Sequence, residues 1–418
     1  MRGLVAAALL ASVATTMVVT TPAQAAVPNT HNITAVGSDT TQDVMATLLG
    51  LTTPGAGTTI NNINAQQNPA VTVNSDASCS TTIIWHTAPG AGETASPNGS
   101  GQGRTALLAE ETAGAGGTPR GCVDIARSSG APQGKATDGN NFEYYAYGMD
   151  SVAAVTASPF APGSISQADL IKIYNCTFTD WAQLPGGGHG PIQRYIPNNA
   201  SSGTAKFWKS DMIPGVASGG VGIIKAAGTV AGSIYACPDV IVTGEENDFK
   251  NILVDNHDSA ILPFSVGQWL FMSKLRLNPS LDLRYGTRVV GQVTPTVNAN
   301  TIRWEPLNNN YVVNSGSSVD TPVNEANIGV NLATPDFRGI RYIYNVVDNI
   351  LPDYGDAKDI VGFTNTAASA NKSPICSGTR SSTISSAGFA PLSAAGNPGD
   401  GTHNLNGNAT CRLYVNLS

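Results

Sequence analysis

Hydrophobic positions fall in short runs separated by turns rich in glycine and hydroxyl groups. Residues 32–36 (Asn-Ile-Thr-Ala-Val) read as a buried strand running into Gly37-Ser38-Asp39-Thr40-Thr41. Val44, Met45, Leu48 and Leu49 then share one helical face. Asp39 with Gln42 fits a capping box, and Gly50 a helix stop. Strand-like pieces follow near 71–73 and 82–85, and most of 88–104 reads as surface loop. Residues 123–126 predict a strand ending in Arg127-Ser128-Ser129-Gly130. The run 144–156 ends in an apolar strand placed to cross between two lobes. Ser166 and Asp169 form a capping box, with Ile165 and Leu170 as its staple, ahead of a helix carrying Ile171, Ile173 and Tyr174. A strand near 193–196 leads into Ser202-Gly203-Thr204 and a helix whose Phe207 and Trp208 read as core. Residues 259–269 predict a second crossing strand and its helix, and 340–347 alternates like a strand. Stretches 321–331 and 366–410 are polar and loop-rich, and there is no internal repeat. Strands alternating with helices indicate an α/β fold with mixed sheets.

The hydroxyl-bearing turns carry the candidate chemistry. The first turn of a helix leaves backbone N–H groups unpaired at the positive end of the macrodipole, which suits an anion. Gly203 lets a ligand approach the backbone, while Ser202 and Thr204 can donate further hydrogen bonds. Ser38 and Thr40 sit in a similar strand–turn–helix arrangement, and Ser128 and Ser129 follow a third strand. Arg127 offers a forked donor to an oxyanion, or else a surface salt bridge. An ordinary helix cap has the same composition as any one of these turns; recurrence is what favours a site.

Composition narrows the partners. The formal net charge is −7, and only 12% of residues are charged. An acidic, charge-poor chain is ill suited to nucleic acid or an anionic membrane. Any anion must therefore be held by local dipoles and hydroxyls against the overall field. Residues 1–25 read as an export signal: Arg2, an apolar run from Leu4 to Val19, and Ala23-Gln24-Ala25 before the cleavage point. No cysteine follows that point, so no bacterial lipid anchor is expected, and the product should be secreted and soluble. The remaining length of about 390 residues is enough for two lobes with cores of their own.

All six cysteines lie beyond the signal, and an even count in an oxidising compartment favours three disulfides. Six cysteines allow fifteen pairings; nearest neighbours give 79–122, 176–237 and 376–411. No C-x-x-C pair occurs and the five histidines are scattered, so neither metal nor cofactor is expected. Glu245-Glu246-Asn247-Asp248 reads as solvated loop rather than a calcium site. Without a Gly-x-Ser-x-Gly elbow or a His-Glu-x-x-His helix, the chain is not expected to be an enzyme.

In their order and spacing, the turns at 37–41, 127–129 and 202–204 make the chain resemble the phosphate-binding proteins of ABC importers, especially secreted actinobacterial forms. Stretches 164–181, 195–208, 260–269 and 341–347 extend the resemblance over most of the chain. It implies a type II periplasmic-binding-protein fold, two α/β lobes joined by crossing strands. Residues 27–154 and 271–418 would form the first lobe, and 155–270 the second. The implied ligand set is Ser38, Thr40, Ser128, Ser129, Ser202, Gly203 and Thr204. Two departures stand out. Best-known members carry a carboxylate near Ser129 and an arginine where this chain has Asn198. Asp39 could supply the acceptor and Arg127 the cation.

The function expected is a monomeric, secreted solute-binding protein that clamps inorganic phosphate or a similar oxyanion for an ABC importer permease. The alternative is a secreted or wall-associated protein of the same fold, binding another oxyanion or small ligand without serving a transporter.

Overall fold

The structure is a computed structural model. It describes residues 31–55, 57–197, 201–216, 240–243, 257–274, 286–293, 339–363, 373–392 and 410–415, with isolated positions between them. The export signal, Asn198 and the 245–248 acidic run lie outside these residues.

The architecture is built around one long strand. In the large sheet, β1 is His31–Gly37, β2 Thr58–Asn62, β3 Ile125–Ser128 and β4 Phe142–Thr156. The remaining strands of its main path are β5 Gln193–Pro197, β6 Val240–Thr243, β7 Ala260–Ser265 and β8 Ile340–Asp348. Their order is β6-β5-β7-β4-β8-β3-β1-β2. Strand β4 pairs antiparallel with β8 from Phe142 to Ser151, then with β7 from Val152 to Thr156. One continuous 15-residue strand thus serves two groups of strands, as expected of the crossing strand. Around it the pairs β1–β2, β1–β3, β5–β6 and β5–β7 are parallel. Helices between such strands produce two α/β lobes with mixed sheets.

Alternation along β1 sorts its side chains to opposite faces. Ile33 and Ala35 join one apolar core with Val44, Met45, Leu48 and Leu49 of helix α1 (Gln42–Gly50). Val36 points into the other core, which runs from Trp85 and Leu107 through Val152 to Trp181 and Trp208. The Ser166 cap of helix α3 (Gln167–Tyr174) forms as expected, its hydroxyl accepting from Asp169 N at 3.1 Å.

Two local expectations are corrected. The Asp39–Gln42 capping box is absent: α1 starts after Thr41 without a side-chain cap, and Asp39 instead accepts from Thr40 N at 2.8 Å. The stretch 88–104 is not all loop, because helix α2 (Ser100–Ala109) begins within it. Gly37, at φ 111°, and Gly103 lie so close that a Cβ on Gly103 would stand 2.6 Å from Gly37 Cα. Only glycines allow that seat, which brings α2 against the end of β1.

Disulfides Cys79–Cys122 and Cys376–Cys411 are formed as expected. Cys176 is also disulfide-bonded, and its expected partner Cys237 lies outside the described residues.

Candidate functional site

Three strand ends and two helix starts deliver hydroxyls to one buried point. Ser38 follows β1, and its Oγ donates to Ser129 Oγ at 3.2 Å. Ser100, at the start of α2, accepts from Ser129 N at 2.9 Å and stands 3.2 Å from Ser129 Oγ. From the other lobe comes helix α4 (Gly203–Phe207), capped by Ser202, whose Oγ accepts from Ala205 N at 2.8 Å. Thr204 Oγ1 meets Thr40 Oγ1 at 3.4 Å. Gly203 packs against the same cluster, where a Cβ would stand 2.7 Å from both Ser100 Oγ and Ser129 Oγ.

Of the expected residues, the structure therefore brings together Ser38, Thr40, Ser129, Gly203 and Thr204. Ser202 takes part through its cap. Ser128 lies beside them, its Oγ donating to Gly130 O at 2.7 Å and accepting from Arg104 Nη1 at 3.2 Å. All the hydroxyl residues are buried, Ser202 being the most exposed at 3%. Asp39 is buried in the same turn as Thr40.

Arg127 does a different job from the one expected. Its guanidinium donates to the carbonyls of Ala35, Gly37, Ser38 and Ile63 and to Asn62 Oδ1 at 2.7–3.3 Å. With five donors engaged by five acceptors, it ties β3 to β1 and offers nothing further to an anion. Burial pulls its pKa down to about 10, so it remains charged at neutral pH.

The cations at the cluster are two residues not foreseen in the sequence. Arg104 of α2 pairs with Asp138 at 3.2 Å and reaches Ser128. Arg341 of β8 donates through Nε and Nη2 to Asp150 Oδ2 at 3.1 and 2.8 Å, and through Nη2 to Thr204 Oγ1 at 3.0 Å. Its Nη1 is buried with no hydrogen-bond partner among the described residues. Asp150 is held in turn by Ser265 Oγ at 2.8 Å and Gly267 N at 3.1 Å, at the start of helix α5 (Val266–Lys274). A signal for Ser100 was present, since Asn98-Gly99-Ser100-Gly101 is another small, hydroxyl-bearing turn before a helix. Nothing local marks Arg341, whose partners lie 137 and 191 residues away.

The arrangement offers hydroxyl donors, a helix start and one unsatisfied guanidinium nitrogen, with no activated nucleophile among them. Donors of these kinds are suited to an anion. A PBP superfamily domain model matches residues 22–250, more than half of the chain.

The chain belongs to the PBP superfamily.

Its fold is the type II periplasmic-binding-protein arrangement of two α/β lobes. Similar solved structures include an ABC-type phosphate transport receptor from Vibrio cholerae, at 16% identity and TM-score 0.42 over 86% of this chain and 99% of that one. A human phosphate binding apolipoprotein matches at 15% identity and TM-score 0.48, covering 86% and 90%. A phosphate binding protein from Stenotrophomonas maltophilia matches at 16% and 0.42, covering 87% and 91%. No curated protein matches the chain.

Proposed function

We propose that this PBP-superfamily chain is a secreted solute-binding protein that clamps inorganic phosphate, or a closely similar tetrahedral oxyanion, between its lobes for delivery to an ABC importer. The lobes are taken as 27–154 with 271–418, and 155–270. The observation that carries this reading is the meeting of Ser38, Thr40, Ser100 and Ser129 with Gly203 and Thr204 beside the unpartnered Nη1 of Arg341. A buried anion is tolerated only when nearly every oxygen receives a hydrogen bond. Hydroxyls supply those bonds without adding net charge, and Arg341 adds one charge-assisted donor.

In the closed arrangement the hydroxyls bond one another at 3.2–3.4 Å. An anion must replace those contacts, so binding requires the lobes to part and close again around it. Hydroxyl pairs are good partners to exchange, since each can turn its proton toward an oxyanion. Protonated phosphate also needs one acceptor, which sulfate does not. Asp39, next to Thr40 in the turn, is assigned that part. The relatives whose names refer to phosphate agree with this reading in ligand class.

Calorimetric titration of ligand-stripped protein with phosphate and with sulfate near pH 7 tests it. Phosphate binding without sulfate binding is expected, weakened roughly tenfold or more in Arg341→Met. Binding of both would replace the phosphate receptor with a general oxyanion site. Binding of neither would overturn the reading.

A further inference from the structure

A second cluster of charged groups lies away from the hydroxyls, where β1 begins. Asp353, Asp124, Asp76 and His31 gather there with the Cys79–Cys122 disulfide. Asp76 is satisfied: its Oδ1 accepts from Ser78 N, Ser78 Oγ and Cys79 N at 2.7–2.9 Å, and its Oδ2 from Asn32 N. Asp124 uses only Oδ2, which accepts from Thr34 N at 2.8 Å. Asp353 uses Oδ1, 2.8 Å from His31 Nδ1.

The other oxygens of this pair, Asp124 Oδ1 and Asp353 Oδ2, are buried with no hydrogen-bond partner, in side chains each 2% exposed. They also converge. A Cβ on Gly121 would stand 2.7 Å from Asp353 Oδ2 and 3.2 Å from Asp124 Oδ1, with Ser78 Cβ at 3.0 Å. Glycine at 121 keeps that space clear of a side chain. On the solvent side, His31, Asp353 and exposed Asp356 offer ligand atoms all within 4.8 Å of one another.

Two ionised carboxylates facing each other in a buried space need a compensating cation, and otherwise the pair holds a proton. Arg120 is not that cation, because its Nε and Nη2 are engaged with Glu110 at 2.7 and 2.8 Å. We propose that Asp124 and Asp353 form a binding site for a hard divalent cation of the calcium class, with exposed Asp356 beside Asp353 adding negative charge at its mouth. The donor set decides the class. It is oxygen-rich, its one imidazole nitrogen is turned onto Asp353, and both nearby cysteines are in a disulfide, which disfavours zinc. His31 acts as a positioning residue, fixing the Asp353 carboxylate so that Oδ2 faces Asp124.

The site would join three distant parts of the chain: the disulfide loop at 79–122, the start of β1, and the start of the helix Tyr354–Val361. Its expected role is structural. Affinity in the range of about 10⁻⁴–10⁻³ M is typical of extracellular calcium modules.

Thermal unfolding of the chelator-treated full chain, with and without millimolar calcium chloride, tests the site, paired with calorimetric calcium titration. Calcium is expected to raise Tm by a few degrees. Asp124→Asn and Asp353→Asn should each abolish that rise while leaving phosphate titration unchanged. Asp356→Asn changes an exposed residue and should fold normally, with calcium affinity reduced roughly tenfold. No rise and no binding heat in the parent protein would overturn the proposal. So would a rise that survives in all three variants. A higher Tm for Asp124→Asn at neutral pH without calcium dependence would also refute it, and would identify a carboxyl pair sharing a proton.

Discussion

Replacing Asp150 by asparagine should be the most damaging isosteric change near the candidate site. The Asp150 carboxylate joins four elements: β4, which carries it, β7 through Ser265, the first turn of α5 through Gly267 N, and β8 through Arg341. Asparagine can keep one oxygen toward Ser265 and Gly267. Its amide N–H₂ then faces the Arg341 Nε and Nη2 donors, so two donors oppose two others. Arg341 is left as an unpaired charge in a side chain only 4% exposed. Breaking a buried ion pair from one side costs about 3–5 kcal/mol. Loss of the two charge-assisted bonds, at about 1.5–3 kcal/mol each, gives the same range. Urea unfolding followed by circular dichroism reads the change as a shift in midpoint at constant slope. Arg341→Met and the double variant complete a cycle whose coupling should be about 2 kcal/mol or more. A cost for Asp150→Asn below about 1 kcal/mol, or a coupling near zero, would show that the pair does not hold the two lobes' strands together as argued.

Two further outcomes follow from the geometry. Gly203→Ala should lower stability by about 1–3 kcal/mol and weaken phosphate binding roughly tenfold or more, because its Cβ would stand 2.7 Å from Ser100 Oγ and Ser129 Oγ and 2.9 Å from Gly130 N; unchanged affinity in calorimetry would remove Gly203 from the clamp. Burial and the neighbouring Glu111 raise the Asp348 pKa to about 7, so the folded state holds a proton that the unfolded chain, with an ordinary value of about 4, releases. Its stabilisation is complete below pH ~4 and is lost as pH rises to ~7. Asp348→Asn should remove that slope from urea midpoints and be more stable than the parent above pH 7; a parent-like slope would refute the assignment.

What was legible in the sequence was what is local. Strand β1, helix α1, the Ser166 cap, the crossing strand β4 and the Ser202 turn all follow from spacings of a few residues, where periodicity and cap chemistry act. The hydroxyl members of the candidate site shared that advantage, because each stands at an element boundary that glycine and serine announce. The charged members did not. Arg127 looked like an anion ligand because an arginine beside two serines has the right chemistry. Its orientation was decided by the carbonyls of β1 and of Ile63, which satisfy a buried guanidinium completely. Arg341 looked like an ordinary strand residue, and its role depends on Asp150 across the sheet and Thr204 from the other lobe. The same holds for His31 and Asp353, 322 residues apart. Turn chemistry is written in neighbours, whereas pairing of buried charges is settled by topology. For hydroxyls at element boundaries the first kind of signal is enough to find the cluster, and only the fold shows which arginine stands beside it.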